Sequence, residues 1–167
     1  MRHYNDYENA VFGYLKNYNK LKSRMQDLQI AMRDKQLEIA SYGGAKIANY
    51  GEPAEGSIAD ELNDVERKAV HLMAMRHDMS ILSDDYRKID VVIQRLDNAL
   101  AALGEQNEKI IRMKFIDGYQ WEFVADEVGF SDRTCRRVAK KCLKEIAAVM
   151  FGNEEKGNFV FLKSKDS

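Results

Sequence analysis

Apolar residues recur at alternating spacings of three and four along residues 4–39. The members of this series are Tyr4, Tyr7, Val11, Tyr14, Tyr18, Leu21, Met25, Leu28, Met32 and Ile39, and Lys35 interrupts it. A period of 3.5 residues lets a helix keep one seam against a partner helix. The spacing therefore predicts a helical rod about 50 Å long. The four tyrosines lie in register with the seam, which favours packing over base stacking.

A glycine-rich segment follows the rod at residues 41–57 and holds the only proline, Pro53. This composition predicts a loop. Ser57 has the chemistry of an N-cap, with acidic residues in the first turn behind it, and predicts a second long helix from residue 58.

Two heptad series follow Ser57, displaced from each other near residue 80. The first is Ile58, Leu62, Val65, Ala69, Leu72 and Met79, with Arg76 as an intruder, and the second is Leu82, Tyr86, Ile89, Ile93, Leu96, Leu100 and Leu103. We interpret the displacement as a point near residue 80 where the helix changes from one packing partner to another. The simplest arrangement is an antiparallel hairpin in which 58–90 pack on 4–39. A two-helix hairpin is marginal alone, so we expect it to self-associate into a homo-oligomer.

The composition agrees with an all-α fold, because one proline and ten glycines accompany abundant helix-forming residues. The chain contains no apolar run of 18 residues, and its first residues are polar, which predicts no membrane partner and a cytoplasmic protein. We expect a helical oligomerisation arm at 1–103, a DNA-binding domain at 104–152 and a flexible tail at 153–167.

Residues 120–141 have the residue classes of a helix-turn-helix. Gly129 supplies the residue that tolerates positive φ in the turn, and Ala125 allows two helices to approach closely. The apolar positions predicted to face inward are Val124, Val128, Phe130, Cys135 and Val138. Ser131 is a good N-cap for the second helix. An earlier helix over 105–116 is predicted to end at Gly118.

The second helix of this motif is strongly basic. Six basic residues and no acidic one lie from position 133 to position 144, namely Arg133, Arg136, Arg137, Lys140, Lys141 and Lys144. The net charge of the whole chain is −1, so the positive charge is local. A local basic face on a helix is typical of DNA binding by a discrete domain.

The segment IIRMKFIDGYQWEFVADEVGFSDRTCRRVAKKCLKEI is similar to region 4 of bacterial sigma factors. It resembles more closely the corresponding domain of phage late-gene transcriptional regulators of the ArpU and RinA type. The specific part covers 105–151. The resemblance assigns 121–128 to the first helix, 129–131 to the turn and 132–143 to the recognition helix. Gln120 stands where the family prefers Ser or Thr, and Cys135 and Cys142 replace Val and Ala.

The resemblance implies a transcription regulator that binds promoter DNA without melting it, since the chain has no room for a sigma region 2. The residues expected at double-stranded DNA are Ser131, Asp132, Arg133, Thr134, Arg136, Arg137, Lys140, Lys141 and Lys144. The three arginines are candidates for bases or nearby phosphates, and the lysines for phosphates further along. Asp132 is a candidate for cytosine or for the helix dipole. Thr134 suits a backbone oxygen, a thymine methyl group or solvent.

No enzyme motif, cofactor or metal site is predicted. The three histidines are scattered, and neither a catalytic constellation nor a phosphate-binding loop is present. Cys135 and Cys142 lie seven residues apart on one helix, about 10 Å along its axis, which is too far for a disulfide. Both are predicted to be small core residues.

Two other functions fit the same features. A phage small terminase subunit also combines a helix-turn-helix with assembly helices, usually in the reverse order. A helical interaction protein could bind RNA polymerase through the arm, and this function is compatible with DNA binding. The tail contains the apolar residues Phe159 to Leu162, and the sequence leaves open whether it is a frayed end, a β-like extension or a peptide that docks on a partner.

Overall fold

The computed structural model describes residues 6–44 and 58–152, and every regular element within them is helical. The elements are α1 (Asp6–Lys16), α2 (Tyr18–Gly44), α3 (Ile58–Ala101), α4 (Glu105–Ile111), α5 (Trp121–Val128) and α6 (Asp132–Phe151). A π-helical turn, Arg112–Ile116, continues α4. The predicted all-α class is confirmed for this part of the chain. None of these helices is both long and apolar enough to cross a bilayer.

The chain forms two compact units. Unit 1 combines Met1–Asn19 with Ile93–Ser167, and unit 2 is Lys20–Val92. The sequence predicted a boundary at residue 103, whereas this grouping places α1 and the end of α3 in one unit with α4, α5 and α6. Tyr4, Ser57 and the tail lie outside the described residues, so the predictions made for them are not addressed by the structure.

The predicted single rod over residues 4–39 is wrong, because the helix is interrupted at Asn17. The backbone N–H and side-chain amide of Asn17 both donate to the Gly13 carbonyl, at 3.1 and 2.9 Å. In unit 1, α1 then packs on α6 and on the π-helical turn. Ring contacts fix it there, between Tyr7 and Phe151 (5.4 Å between centroids) and between Phe12 and Phe115 (5.6 Å).

The core of unit 1 gathers apolar side chains from every helix of the unit. The buried residues include Val11, Leu15, Leu96, Leu100, Ile110, Ile111, Val124, Leu143 and Ile146. Helix α6 contributes most of one face to this core and packs against α1, α4 and α5. The opposite face of α6 is thereby left to solvent.

A polar cluster ties three chain segments together within unit 1. The Tyr18 hydroxyl donates to Asp97 (2.7 Å), and the guanidinium of Arg112 lies 5.9 Å from the centre of the Tyr18 ring. Arg112 also pairs with Glu108 (2.7 Å) and lies 3.8 Å from Asp97. Burial opposes the charge of Arg112, but the hydrogen bonds that Arg112 donates to Glu108 and Tyr18 outweigh it and raise the pKa of the guanidinium. The start of α2 and the end of α3 are thus held to the π-helical turn.

Unit 2 consists of parts of α2 and α3 that run antiparallel where they touch. Gln29 donates to the Tyr86 hydroxyl (3.0 Å), Lys35 lies 3.8 Å from Asp78, and Tyr42 contacts His71 (5.0 Å between ring centroids). The contact of Tyr42 lies at the end of α2, which runs to Gly44. The prediction that residues 41–44 belong to a loop is therefore wrong, and residues 45–57 lie outside the described part.

The predicted change of seam near residue 80 is also wrong. The partly or fully buried residues Leu72, Met75, Met79, Leu82, Tyr86 and Ile89 form one continuous heptad series in α3. The predicted heptad series omitted Met75, which is buried, and included Val65, which is half exposed. Because Met75 follows Leu72 by three residues and precedes Met79 by four, no displacement is needed.

Candidate nucleic-acid interface

The connection between α5 and α6 has the local geometry predicted from its residues. Gly129 adopts the left-handed conformation at φ 70°, and the Phe130 N–H donates to the Ala125 carbonyl at 3.1 Å. A residue with a Cβ atom is disfavoured in this conformation. The bounds of α5, Trp121–Val128, and the start of α6 at Asp132 also agree with the prediction.

Ser131 caps α6 as predicted. Its hydroxyl oxygen accepts from the Thr134 backbone N–H (3.2 Å) and lies 2.9 Å from the Thr134 hydroxyl. Gly118, at φ 81°, ends the preceding helical segment, and the Tyr119 N–H donates to the Met113 carbonyl (3.0 Å). Two of the nine predicted DNA-binding residues, Ser131 and Thr134, therefore already bond to each other at the helix start.

Side chains from α4 hold the end of α5, an arrangement that the sequence reading missed. Gln106 donates to the Val128 carbonyl (3.1 Å), and Lys109 donates to the Glu127 carbonyl (3.2 Å) and to the Glu127 carboxylate (3.2 Å). Carbonyls in the last turn of a helix lack partners inside the helix. A Gln or Lys about twenty residues upstream, on the preceding helix, gives no sequence signal for this pairing, because the contact exists only after packing.

The inner faces of α5 and α6 are mostly as predicted. Val124 and Cys135 are buried, and Val128 and Val138 are half-buried. Phe130 was predicted to face inward, but it is 36 % exposed because it follows the left-handed Gly129 in the connection. Trp121, which the sequence reading did not assign to the core, is buried instead.

The outer face of α6 carries all six predicted cations. Arg133, Arg136, Arg137, Lys140, Lys141 and Lys144 are each exposed. The buried residues of the same helix are Cys135, Ala139, Cys142, Leu143, Ile146, Ala147 and Met150. All seven buried residues are apolar, and all six cations lie among the exposed residues of α6.

Two of the six cations have ion-pair partners on their own helix. Arg136 donates from Nε to both Asp132 carboxylate oxygens (2.9 and 3.1 Å), and its guanidinium lies 5.3 Å from the centre of the Trp121 ring. Lys141 lies 3.5 Å from Glu145. Asp132 was predicted to contact cytosine or the helix dipole, and its carboxylate is already engaged by Arg136.

The other four cations make no ion pair with an acidic residue in the described part of the chain. They are Arg133, Arg137, Lys140 and Lys144. Arg133 and Lys144 are eleven residues apart, about 16 Å along the helix axis. At 3.4 Å per base pair, this row of charge spans about five base pairs of duplex DNA.

The two cysteines belong to the core rather than to a reactive site. Both are buried and free. Desolvation raises the pKa of the Cys142 thiol to about 11 and also raises that of Cys135. Both thiols are therefore neutral at physiological pH, where only the thiolate is nucleophilic. Within the described residues, no three His, Cys, Asp or Glu side chains are grouped so that they could hold a metal ion.

Comparison of the chain with protein-family models, curated proteins and solved structures finds no significant match.

Proposed function

We propose that this protein is a sequence-specific DNA-binding transcription regulator that places α6 in the major groove of promoter DNA. The observation that carries the proposal is the separation of charge on α6, whose buried face is wholly apolar and whose exposed face holds six cations. A major groove about 12 Å wide admits an α-helix, and its walls are phosphates. The short α5, the left-handed Gly129 and the capped α6 supply the parts of a helix-turn-helix.

The likeness to phage late-gene regulators narrows the proposal to a regulator of phage or prophage genes in a bacterial host, with RNA polymerase as a second partner. In this proposal, the residues near the start of α6 contact base edges and those further along contact phosphates. Arg133 and Arg137 are the leading candidates for base contacts, because neither has an ion-pair partner in the described residues. Arginine can bind guanine O6 and N7 with two hydrogen bonds.

Arg136 has a different role in this proposal. Its Nε is bonded to Asp132 and its guanidinium lies near the Trp121 ring, so the direction of the side chain is already fixed by the protein. We therefore assign Arg136 to positioning the first turn of α6 against α5. Lys140, Lys141 and Lys144 bind phosphates, and Asp132, Ser131 and Thr134 shape the start of the helix at the DNA surface.

Selection from a random duplex library with the full-length protein, followed by fluorescence anisotropy on the enriched duplex, tests the proposal. The triple substitution of Arg133, Arg136 and Arg137 to Ala should weaken binding at least about thirtyfold, since it removes two proposed base contacts worth roughly 1–3 kcal/mol each. The matched control replaces three exposed arginines elsewhere, Arg24, Arg87 and Arg95, with Ala. Equal losses from the two triple variants would refute the assignment, because both remove the same charge.

Single substitutions separate the roles of the cations. Arg137→Ala should relax specificity at one base position, whereas Arg136→Ala should cost less affinity and leave the preferred sequence unchanged. Lys144→Ala should weaken binding to all sequences alike and reduce the slope of log K against log salt by about 1. Transcription in vitro from the selected site, with and without the protein, then distinguishes activation from repression.

A further inference from the structure

Two aromatic rings are exposed on the outer side of α5, in unit 1. Tyr119 precedes the helix by two residues, and its ring centroid lies 4.8 Å from that of Phe123. Tyr119 is 46 % exposed and Phe123 47 % exposed. At 100° per residue, Phe123 lies about 150° around α5 from the centre of the buried face of that helix. The core of unit 1 therefore leaves this ring pair uncovered.

Acidic side chains surround the ring pair. Residues 115–132 include five acidic residues and no basic one. Asp126 and Glu127 follow Phe123 by three and four residues, so they flank it on the outer side of α5. Glu122 precedes Phe123 directly and is exposed.

Ion pairs neutralise two of these five acidic residues. Glu127 lies 3.2 Å from Lys109, and Asp132 lies 2.9 Å from Arg136. The other three are exposed and make no ion pair in the described part of the chain, namely Asp117, Glu122 and Asp126. Lys114 donates to the Tyr119 carbonyl (2.7 Å) and offsets one of these three charges. The surroundings of the ring pair thus remain acidic.

This charge decides which class of partner fits. DNA, or a membrane with anionic headgroups, would meet like charge around the rings, which is unfavourable. The cationic α6 of a second copy matches the charge. However, α6 exposes no apolar side chain from Arg133 to Lys144 that would cover the rings.

We infer that the acidic aromatic face, formed by Tyr119, Glu122, Phe123 and Asp126, docks a segment of a partner protein that combines Lys or Arg with apolar side chains. The apolar side chains cover the rings, and the basic groups pair with the carboxylates and lie over the rings. Half-exposed rings leave roughly 200 Å² to cover, which fits a small, transient interface with an aromatic centre and a polar rim. This inference goes beyond the proposed function and does not require DNA binding.

Peptide selection with the full-length protein tests the inference. A phage-displayed library of random peptides is bound to the wild type, and phage that also bind Phe123→Ala are removed. This step removes acidic peptides attracted to α6, because α6 is the same in both proteins. The remaining peptides should be rich in Lys and Arg and contain Leu, Phe or Trp. Acidic remaining peptides, or none at all, would overturn the inference.

Fluorescence anisotropy of the enriched peptide tests the rings. Tyr119→Ala and Phe123→Ala should each weaken binding at least about tenfold, as expected for aromatic side chains at the centre of an interface. The control Met73→Ala removes an exposed apolar side chain from α3 and should leave binding unchanged. Circular dichroism checks that each variant remains helical, and equal losses in the control would contradict the assignment.

The same assay tests the carboxylates. The double variant Glu122→Gln, Asp126→Asn should weaken binding of the peptide about tenfold and reduce its salt dependence. The matched control Asp27→Asn, Asp34→Asn removes two exposed acidic groups from α2 and should do neither. An unchanged salt dependence in the first variant would refute the role of the acidic groups.

Two measurements distinguish this partner from other occupants. Phe123→Ala should bind the enriched duplex like the wild type, and the arginine triple variant of α6 should lose the duplex but keep the peptide. Loss of the duplex in Phe123→Ala would place the rings at DNA and overturn the inference. A wild-type dimer that Phe123→Ala dissociates in sedimentation equilibrium would overturn it too, because a second copy would then cover the rings. Failure of the duplex to bind α6 leaves the peptide result standing.

Discussion

Unit 1 and unit 2 are both helical, yet they bury very different amounts of apolar surface. Leu28 and Met75 are the buried apolar residues of unit 2 among those described, and all the others belong to unit 1. Seven of the twelve exposed large apolar residues in the described part of the chain belong to unit 2, including Ile30, Leu37, Val70 and Met73, although unit 2 has only two buried ones. Because burial of apolar surface is the main stabilising contribution to folding, unit 1 can hold its form from one chain.

The buried core of unit 1 bears directly on the proposed DNA binding. The buried apolar core of unit 1 fixes the backbone of α6, so the exposed cations of α6 form a defined row. Unit 2 leaves apolar side chains such as Val70 and Met73 exposed to water. The proposed recognition of DNA thus depends on the buried core of unit 1.

The same chemical change in the two units gives the largest expected contrast. Leu143 in unit 1 is fully buried, and Leu37 in unit 2 is 64 % exposed. Leu143→Ala should lower the free energy of unfolding by roughly 2–5 kcal/mol, through lost burial and the cavity left behind. Leu37→Ala should change it by less than about 0.5 kcal/mol. Urea denaturation measures both, and comparable losses would contradict the contrast between the units.

The loss of stability at high pH tests whether water is excluded from the Cys142 thiol in the core of unit 1. The pKa of Cys142 is about 11 in the folded protein and near 9 in the unfolded chain, so the folded state keeps the proton longer. Its stabilising contribution is complete below pH 9 and is lost as the pH rises towards 11. Wild type should lose about 1–3 kcal/mol more than Cys142→Ala over this range. Identical declines in the two proteins would show that water reaches the thiol.

Two glycines of unit 1 should respond to alanine in opposite directions. Gly129 is left-handed and Gly13 lies inside α1, and a Cβ added at either site would meet no atom within 4 Å. Gly129→Ala should destabilise the protein by roughly 1–2 kcal/mol, the strain of the left-handed conformation. Gly13→Ala should stabilise it by about 0.5–1 kcal/mol, because alanine favours helix. Thermal denaturation measures the change in stability for each variant. A stabilising effect of both substitutions would contradict a left-handed conformation at Gly129.

The smallest expected effect concerns the cap of α6. Ser131→Ala removes the acceptor for the Thr134 N–H and should cost about 1 kcal/mol of unfolding free energy. Ser131→Asp keeps an acceptor and should cost little. Ser80→Ala, at an exposed position inside α3, is the control and should be near neutral. A loss that aspartate does not repair would argue against capping as the role of Ser131.

Features governed by neighbouring residues could be predicted from the sequence. The left-handed Gly129, the N-cap at Ser131 and the limits of α5 each follow from the chemistry of a few consecutive residues. The alternation of apolar and basic residues in α6 likewise indicated which of its faces is buried.

Features that depend on distant contacts were not predictable. Helix α1 packs on α6, and no local pattern indicates that preference. The bonds from Gln106 and Lys109 to the end of α5 join segments about twenty residues apart. Arg136 was grouped with Arg133 and Arg137 as a candidate for base or nearby phosphate contacts, and only the structure shows it held by Asp132 and near the Trp121 ring.

A crystal structure of the full-length protein with the enriched duplex tests the central claim most directly. We expect α6 in the major groove, with Arg133 and Arg137 at base edges and Lys140 and Lys144 at phosphates. A complex in which the outer face of α6 remains in solvent while another surface contacts the duplex would contradict the account.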